Sequence, residues 1–366
     1  MKLVFINSVF TFFTMCTSFI YAQKKADSIK FIGAYTIEND QLFKGTIVGG
    51  LSGIEKLSDD RYCFISDDFG EHGKPRMYKA KINYTEKGIS EVTFLDVEYL
   101  TPPSGKRFIS STSEKLIDTN ELYCDAEAIR YDRSHNNFIW TSEGYLNKMC
   151  AQPFIFYSDT NGVFTSVFKT DPVFSFDCAG KKGLQHNAAV EGLSFVPQTG
   201  LLVYCSEKSL YQDIALQKES SFPVRLIFAD SYSGKTIAQY VYMLDNVFEN
   251  NSNGITDILA VSKDTLLVLE RAFEKIRGVK IRLYRCIVDN ATNVKSFSQL
   301  KPMGYVPVKK ELVIDFSATG LAHIDNMEGM TWGHDINGNK SLLFISDNNF
   351  NSFKITQLLL FEYISR

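Results

Sequence analysis

The sequence predicts an all-β fold, a β-propeller of four-stranded blades, and two observations lead there. One hairpin signature recurs five times: an apolar strand, a turn, and a second apolar strand that ends in an acidic or polar group. The copies are spaced by about 60 to 75 residues, the sign of a radial repeat. The strands are also apolar on both faces, as in L-L-V-Y-C and T-L-L-V-L, which suits blades that pack on neighbours from both sides. No long amphipathic helix interrupts them.

The clearest copy is Val190 to Lys208, V-E-G-L-S-F-V-P-Q-T-G-L-L-V-Y-C-S-E-K, turning at Pro197 to Gly200. Glu191 and Glu207 stand 16 residues apart around that turn, so antiparallel pairing sets them at one end of the hairpin, directly opposite. Like charges so placed repel unless a cation or donors compensate them. Glu127 and Glu143 repeat the spacing of 16 in D-A-E-A-I…S-E-G, and Glu328 and Asp347 stand 19 apart across an Asn/Gly insertion. In G-G-L-S-G-I…S-D-D, Ser52 replaces the first carboxylate and Asp67 with Asp68 supply the second. In N-G-I-T-D-I…L-V-L-E-R, Asn253 is read as the first position and Glu270 as the second.

Taken in order, residues 1–22 form an apolar run with Lys2 as its one charge and a plausible cleavage point at Tyr21-Ala22-Gln23, so a secretory signal is expected; a membrane anchor is the alternative. The mature domain is then expected to be 23–366, secreted or periplasmic, and a monomer. Phe31–Ile37 and Phe43–Val48 are strands without a signature of their own. The first four modules supply four strands each and the fifth only three, Glu328–Trp332, Leu342–Ser346 and Thr356–Tyr363. Phe31–Ile37 is expected to complete it and close the ring. Five blades are counted, with six as the alternative if a degenerate blade hides in the N-terminal strands and long loops Thr101–Asn120 and Asp171–Asn187.

Composition is that of an ordinary globular protein, 45% hydrophobic and 22% charged. A formal net charge of −3 without a basic block argues against nucleic acid or an acidic membrane as partner. Cys63, Cys205 and Cys286 lie in apolar strands as small buried side chains, whereas Cys150 and Cys178 fall in loops and could pair in an oxidising compartment. The five histidines show no ligand spacing; only His186 and His323, just ahead of repeat carboxylates, stand out. No G-x-S-x-G, H-E-x-x-H or P-loop motif is present.

In a propeller the repeat carboxylates converge on one mouth of the central channel. Asp67, Glu127, Glu143, Glu270, Glu328 and Asp347 are the expected metal ligands, and an oxygen-only set at flexible spacing suits Ca²⁺ over zinc or copper. Lys208 and Arg271 could hold an anionic group such as a phosphate beside the metal. The competing reading is that these carboxylates cap blade tops by accepting backbone N–H bonds, with Lys208 and Arg271 as ion-pair partners.

The succession S-G-I…S-D-D, D-A-E-A-I…S-E-G, N-A-A-V-E-G-L…S-E-K, Y-V-Y-M-L-D, L-V-L-E-R, N-M-E-G-M and S-D-N-N-F…T-Q-L-L-L-F resembles the phytase-like family with esterase-like activity, from about Leu51 to Phe361. That family is similar to the alkaline β-propeller phytases, which are six-bladed, secreted, calcium-dependent phosphomonoesterases. The resemblance places Glu127, Glu143, Glu191, Glu207, Glu270, Arg271, Glu328, Asp347 and Asn348 on motif positions, while Ala188-Ala189 departs from the lead-in expected before the third E-G-L. The residues and the resemblance together lead to the expectation of an exported, Ca²⁺-assisted hydrolase of phosphate or other small-molecule esters, with Glu191 or Glu207 as general base and Lys208 and Arg271 stabilising developing charge. The alternatives are a calcium-dependent lactonase or carboxylesterase, or a non-catalytic extracytoplasmic binding module.

Overall fold

Five antiparallel four-stranded sheets surround one axis, four of them made of strands that are consecutive in sequence. The computed structural model describes residues 28–110, 122–146, 150–214, 222–247 and 252–364, so the expected signal segment lies outside the described residues. Blade 1 comprises Leu51–Lys56, Arg61–Ser66, Arg76–Thr85 and Gly88–Tyr99; blade 2, Ala126–Asp132, Asn137–Ser142, Phe154–Ser158 and Phe164–Phe168. Blade 3 comprises Val190–Val196, Leu201–Ser206, Phe222–Asp230 and Thr236–Leu244; blade 4, Gly254–Ala260, Thr265–Glu274, Gly278–Ile287 and Lys309–Asp315. Blade 5 comprises Met327–Trp332, Lys340–Ser346 and Thr356–Ile364, completed by Ser28–Ile37, which pairs from Ser28↔Ile364 to Ile37↔Thr356. The predicted closure is therefore the observed one. The segment read as one strand over Phe43–Val48 is instead a small hairpin, Leu42–Phe43 with Thr46–Ile47, turning through left-handed Lys44 and Gly45.

The two-sided apolar strands build one hydrophobic core at every blade interface. Five clusters of buried residues join blades 1 and 2, 2 and 3, 3 and 4, 4 and 5, and 5 and 1. Leu266, Leu267, Val268 and Leu269 show why strict alternation is absent: all four are buried, on alternate faces of blade 4. Each such side chain contributes roughly 1.5–3 kcal/mol.

The innermost strands crowd the axis, and glycine permits it. A Cβ on Gly53 would stand 2.6 Å from the Glu127 carbonyl, and one on Gly329 would stand 2.6 Å from the Ser52 carbonyl. Ser52 Oγ donates to the carbonyls of Ala126 and Glu127, and Thr256 Oγ1 to that of Met327, clasping blade 1 to blade 2 and blade 4 to blade 5. Deeper in, Arg130 of blade 2 reaches across to Asp257 of blade 4, its Nη2 lying 2.7 and 2.8 Å from the two carboxylate oxygens. Arg130 also donates to the Ile54 carbonyl of blade 1, and Asp257 accepts from the Met330 amide of blade 5. Blades 2 and 4 are not neighbours, so the ion pair crosses the interior of the ring. Among the described residues no helix is long and apolar enough to cross a membrane.

Candidate functional site at the acidic mouth

Strand register explains how the carboxylates reach the mouth, and it corrects the expected geometry. Leu51↔Ser66, Ala126↔Ser142, Val190↔Ser206, Ile255↔Glu270 and Met327↔Ser346 are equivalent pairs in the five blades. Immediately after each pair the inner strand carries a β-bulge, at Ser52, Glu127-Ala128, Glu191, Thr256 and Glu328. A bulge inserts a residue and re-aims its side chain. Glu191 therefore does not face Glu207 across a ladder rung; that position is taken by Ala189, whose carbonyl accepts from the Glu207 amide.

The same register moves the fourth repeat by one residue. Glu270 pairs where the other blades carry Ser66, Ser142, Ser206 and Ser346, so Arg271 holds the place of Asp67, Glu143, Glu207 and Asp347. Glu270 is thus not a mouth ligand. Its carboxylate is buried between blades 3 and 4, accepting from Tyr242 Oη at 2.7 Å, Asn253 Nδ2 at 2.6 Å and Lys310 Nζ at 2.5 Å. Asn253 is correspondingly a partner of Glu270, and Thr256 occupies the bulge.

Asp67, Glu127, Glu143, Glu191, Glu328 and Asp347 share one mouth, each perturbed by the charge of at least one other acid there, and Glu207 joins them with Arg271 3.4 Å away. An eighth acid, Asp125, joins them and was missed in the sequence. Its signal was there, in the D-A-E of Asp125-Ala126-Glu127. Carboxylate oxygens of Asp67, Asp125 and Glu127 lie within 4.8 Å of one another. Burial, then crowding by Glu143, Glu328 and Asp347, pushes Asp125 up to about 7. Burial and Glu207 push Glu143 up to about 8, although Glu143 accepts a bond from the Ala189 amide. Asp67, Glu127, Glu191 and Asp347 are driven well above the carboxylate range by burial and then by their neighbours. Burial also raises Glu328, against the pull of Arg271 and Lys354.

Cations line one side of the mouth. Arg271 lies 3.4 Å from Glu207 and 3.6 Å from Glu328 and donates to Asn326 Oδ1 at 2.8 Å. Lys208 stands 3.8 Å from Glu207. The residues following the repeat acids serve structure instead. Asp68 accepts from the Glu71 and His72 amides and from Arg76, and Asn348 Oδ1 accepts from the Gly50 and Phe350 amides. The opposite side is aromatic: Phe69, Tyr123 and Tyr145 pack ring against ring at 5.1 to 5.9 Å, and His186 meets Tyr145 edge-on at 5.5 Å. His323 is largely exposed, 3.4 Å from Asp325. Cys150, between the second and third strands of blade 2, and Cys178, in the connection from blade 2 to blade 3, form a disulfide.

The trio of Asp67, Asp125 and Glu127 fits a hard divalent cation. Its donors are all carboxylate oxygens, contributed by two blades, close enough together that full ionisation without a cation is strongly opposed.

Solved structures similar to this chain include an endo-arabinase from Bacteroides thetaiotaomicron, at 12% identity over 85% of this chain and 93% of that one, with a TM-score of 0.46. An α-L-arabinofuranosidase catalytic domain from Coprinopsis cinerea is similar at 10% identity, over 85% and 91% of the two chains, with a TM-score of 0.42. No chemistry is carried over from either. No curated protein matches. The family model for phytase-like proteins, described as esterase-like activity of phytase, matches residues 46–350, a span that runs from the second strand of the small N-terminal hairpin through blades 1 to 4 and into blade 5. The chain belongs to the phytase-like family.

Proposed function

We propose that the protein is an exported, calcium-assisted ester hydrolase that acts at the acidic mouth, with phosphate monoesters as its favoured substrates. The observation that carries this reading is the Asp67–Asp125–Glu127 oxygen cluster on one side of a mouth that presents Arg271 from another blade. Calcium held by those three residues would supply Lewis acidity toward an ester oxygen. Glu191, nine-tenths buried and with its proton affinity raised, takes a proton from the attacking water. Glu207 is the weaker candidate for base, because Arg271 and Lys208 both neutralise it; its part is to position Arg271. Arg271 binds the anionic group and opposes the charge that develops on it. Export is supported by the Cys150–Cys178 bridge, since disulfides persist in oxidising compartments.

The test is turnover by purified protein of aryl phosphates, phytate, simple carboxylic esters and lactones, each with calcium and with chelator. Calcium-dependent release from a phosphate ester, lowered about 10²- to 10⁴-fold in Glu191→Gln, is the expected result. Turnover confined to lactones or carboxylic esters would redirect the substrate assignment. A chelator-sensitive fold with no turnover of any of them would leave a binding module.

A further inference from the structure

Blade 4 carries a hydroxyl, Thr256, at its bulge, as blade 1 carries Ser52, and it alone sets a cation, Arg271, where every other blade presents a carboxylate. Beside that break, between blades 4 and 5, opens a cleft of about 940 Å³ that shares Arg271 and Asn326 with the mouth. Its chemistry is unlike that of the mouth. Arg271, Lys280 and Lys354 bring positive charge, while its two acids are already engaged. Asp315 is held by Arg282 at 3.1 Å and Lys280 at 3.4 Å, and Asp325 accepts the amides of Asn326 and Ile355. Arg271 Nε, buried, has no hydrogen-bond partner among the described residues. Between these charges the walls carry apolar side chains, among them Val279, Ile281 and Leu321, and two phenyl rings stand in solvent, Phe273 at 51% and Phe353 at 93% exposure.

We propose that this cleft is a specificity subsite that receives an aryl or acyl group attached to the anionic head bound at Arg271, so that the preferred substrate is a singly phosphorylated ester with an apolar arm. The inference rests on the functional reading above and narrows it. A cation at the entrance and exposed aromatic rings along the walls match an anionic head joined to a hydrophobic body, because burial of the rings and of the arm is favourable only if both are apolar. A polyol carrying many phosphates fits poorly. It has no apolar face for Phe273 and Phe353, and its remaining phosphates would lie against Glu191, Glu207, Glu328 and Asp347, where like charges repel.

Equilibrium binding to the intact, calcium-loaded protein decides the matter without turnover, using phenylphosphonate, which has no ester bond to hydrolyse, and inorganic phosphate as probes. Phenylphosphonate is expected to bind about tenfold or more tightly than phosphate, the worth of one buried ring. In the Phe273→Ala/Phe353→Ala variant that preference should collapse while phosphate affinity holds; both side chains project into solvent, so folding is not at stake. Equal affinity for the two probes in the wild type, or an undiminished preference in the variant, overturns the subsite. Phenylphosphonate preference in a protein that hydrolyses nothing would refute the hydrolase and leave the cleft's ligand class standing.

Discussion

Replacing Asp125 with Asn should move thermal stability in opposite directions according to whether calcium is present. In the metal-free protein the carboxylates of Asp67, Asp125 and Glu127 approach within 4.8 Å. Two full charges at that distance repel by about 3 kcal/mol at an effective dielectric of about 20, and partial protonation relieves some of it. Neutralising Asp125 should therefore stabilise the metal-free fold by about 1–3 kcal/mol, and the Asn side chain can still donate to Asp67. For a chain of this size the unfolding entropy is about 0.7 kcal/mol per kelvin, so the expected rise in Tm with chelator is roughly 2–4 °C. Calcium acts on the wild type through mass action. A hundredfold excess over Kd contributes about 2.7 kcal/mol, or a rise of roughly 4 °C. Asp125→Asn should lose most of that increment, because it removes one of three charged ligands. Differential scanning calorimetry of both proteins, with chelator and across a calcium titration, measures all four values. Identical wild-type Tm with calcium and chelator, or a metal-free variant that melts below the wild type, would refute the crowding argument.

Three further outcomes follow from other parts of the ring. Glu55, at the opposite mouth, is raised by burial from 4.5 to about 7, against the pull of Arg130 and Arg133. Below pH 4.5 both states hold its proton; as pH climbs toward about 7 the unfolded chain ionises first, so the wild type loses stability over that window. Glu55→Gln should remove that loss, gaining about 1–2 kcal/mol at pH 8 and nothing at pH 4 once partial exposure is allowed for, by denaturant titration at the two pH values. Arg130→Met leaves Asp257 buried without its partner and should cost about 3–5 kcal/mol in the same assay, whereas replacing both residues with apolar ones of similar volume should recover most of it. Reducing the Cys150–Cys178 bridge, which closes a loop with a sequence separation of 28, should cost roughly 3 kcal/mol, measured as a shift in denaturation midpoint with reductant.

Much of the architecture was legible because each blade repeats the same local instruction. The five modules, their hairpin turns and the borrowed N-terminal strand were all readable from apolar runs and turn residues. Register was harder, because a carboxylate looks the same whichever way it points. Aligning L-V-L-E-R with V-Y-C-S-E by its acid puts Glu270 at the mouth; aligning by the buried Ser206 puts Arg271 there, and the ladder follows the serine. The bulges had no cue beyond the small residues around them, since they arise from inner strands crowding an axis that only the closed ring creates. Asp125 was passed over because attention went to one acid per strand, and the partner that gives it meaning, Asp67, is contributed by another blade. The Arg130–Asp257 pair spans 127 residues of sequence, and no local pattern announces it.

Ser28–Ile37 is the earliest described strand of the chain, and its ladder partner, Thr356–Ile364, is the last. Until that late partner emerges, the early one has no neighbour to saturate its amides and carbonyls, and a bare edge of this kind invites pairing with other chains. Maturation should therefore proceed blade by blade and finish in one slow, long-range clasp, the step most exposed to misassembly. A chain cut before Thr356 would then be a sticky intermediate and not a smaller stable propeller.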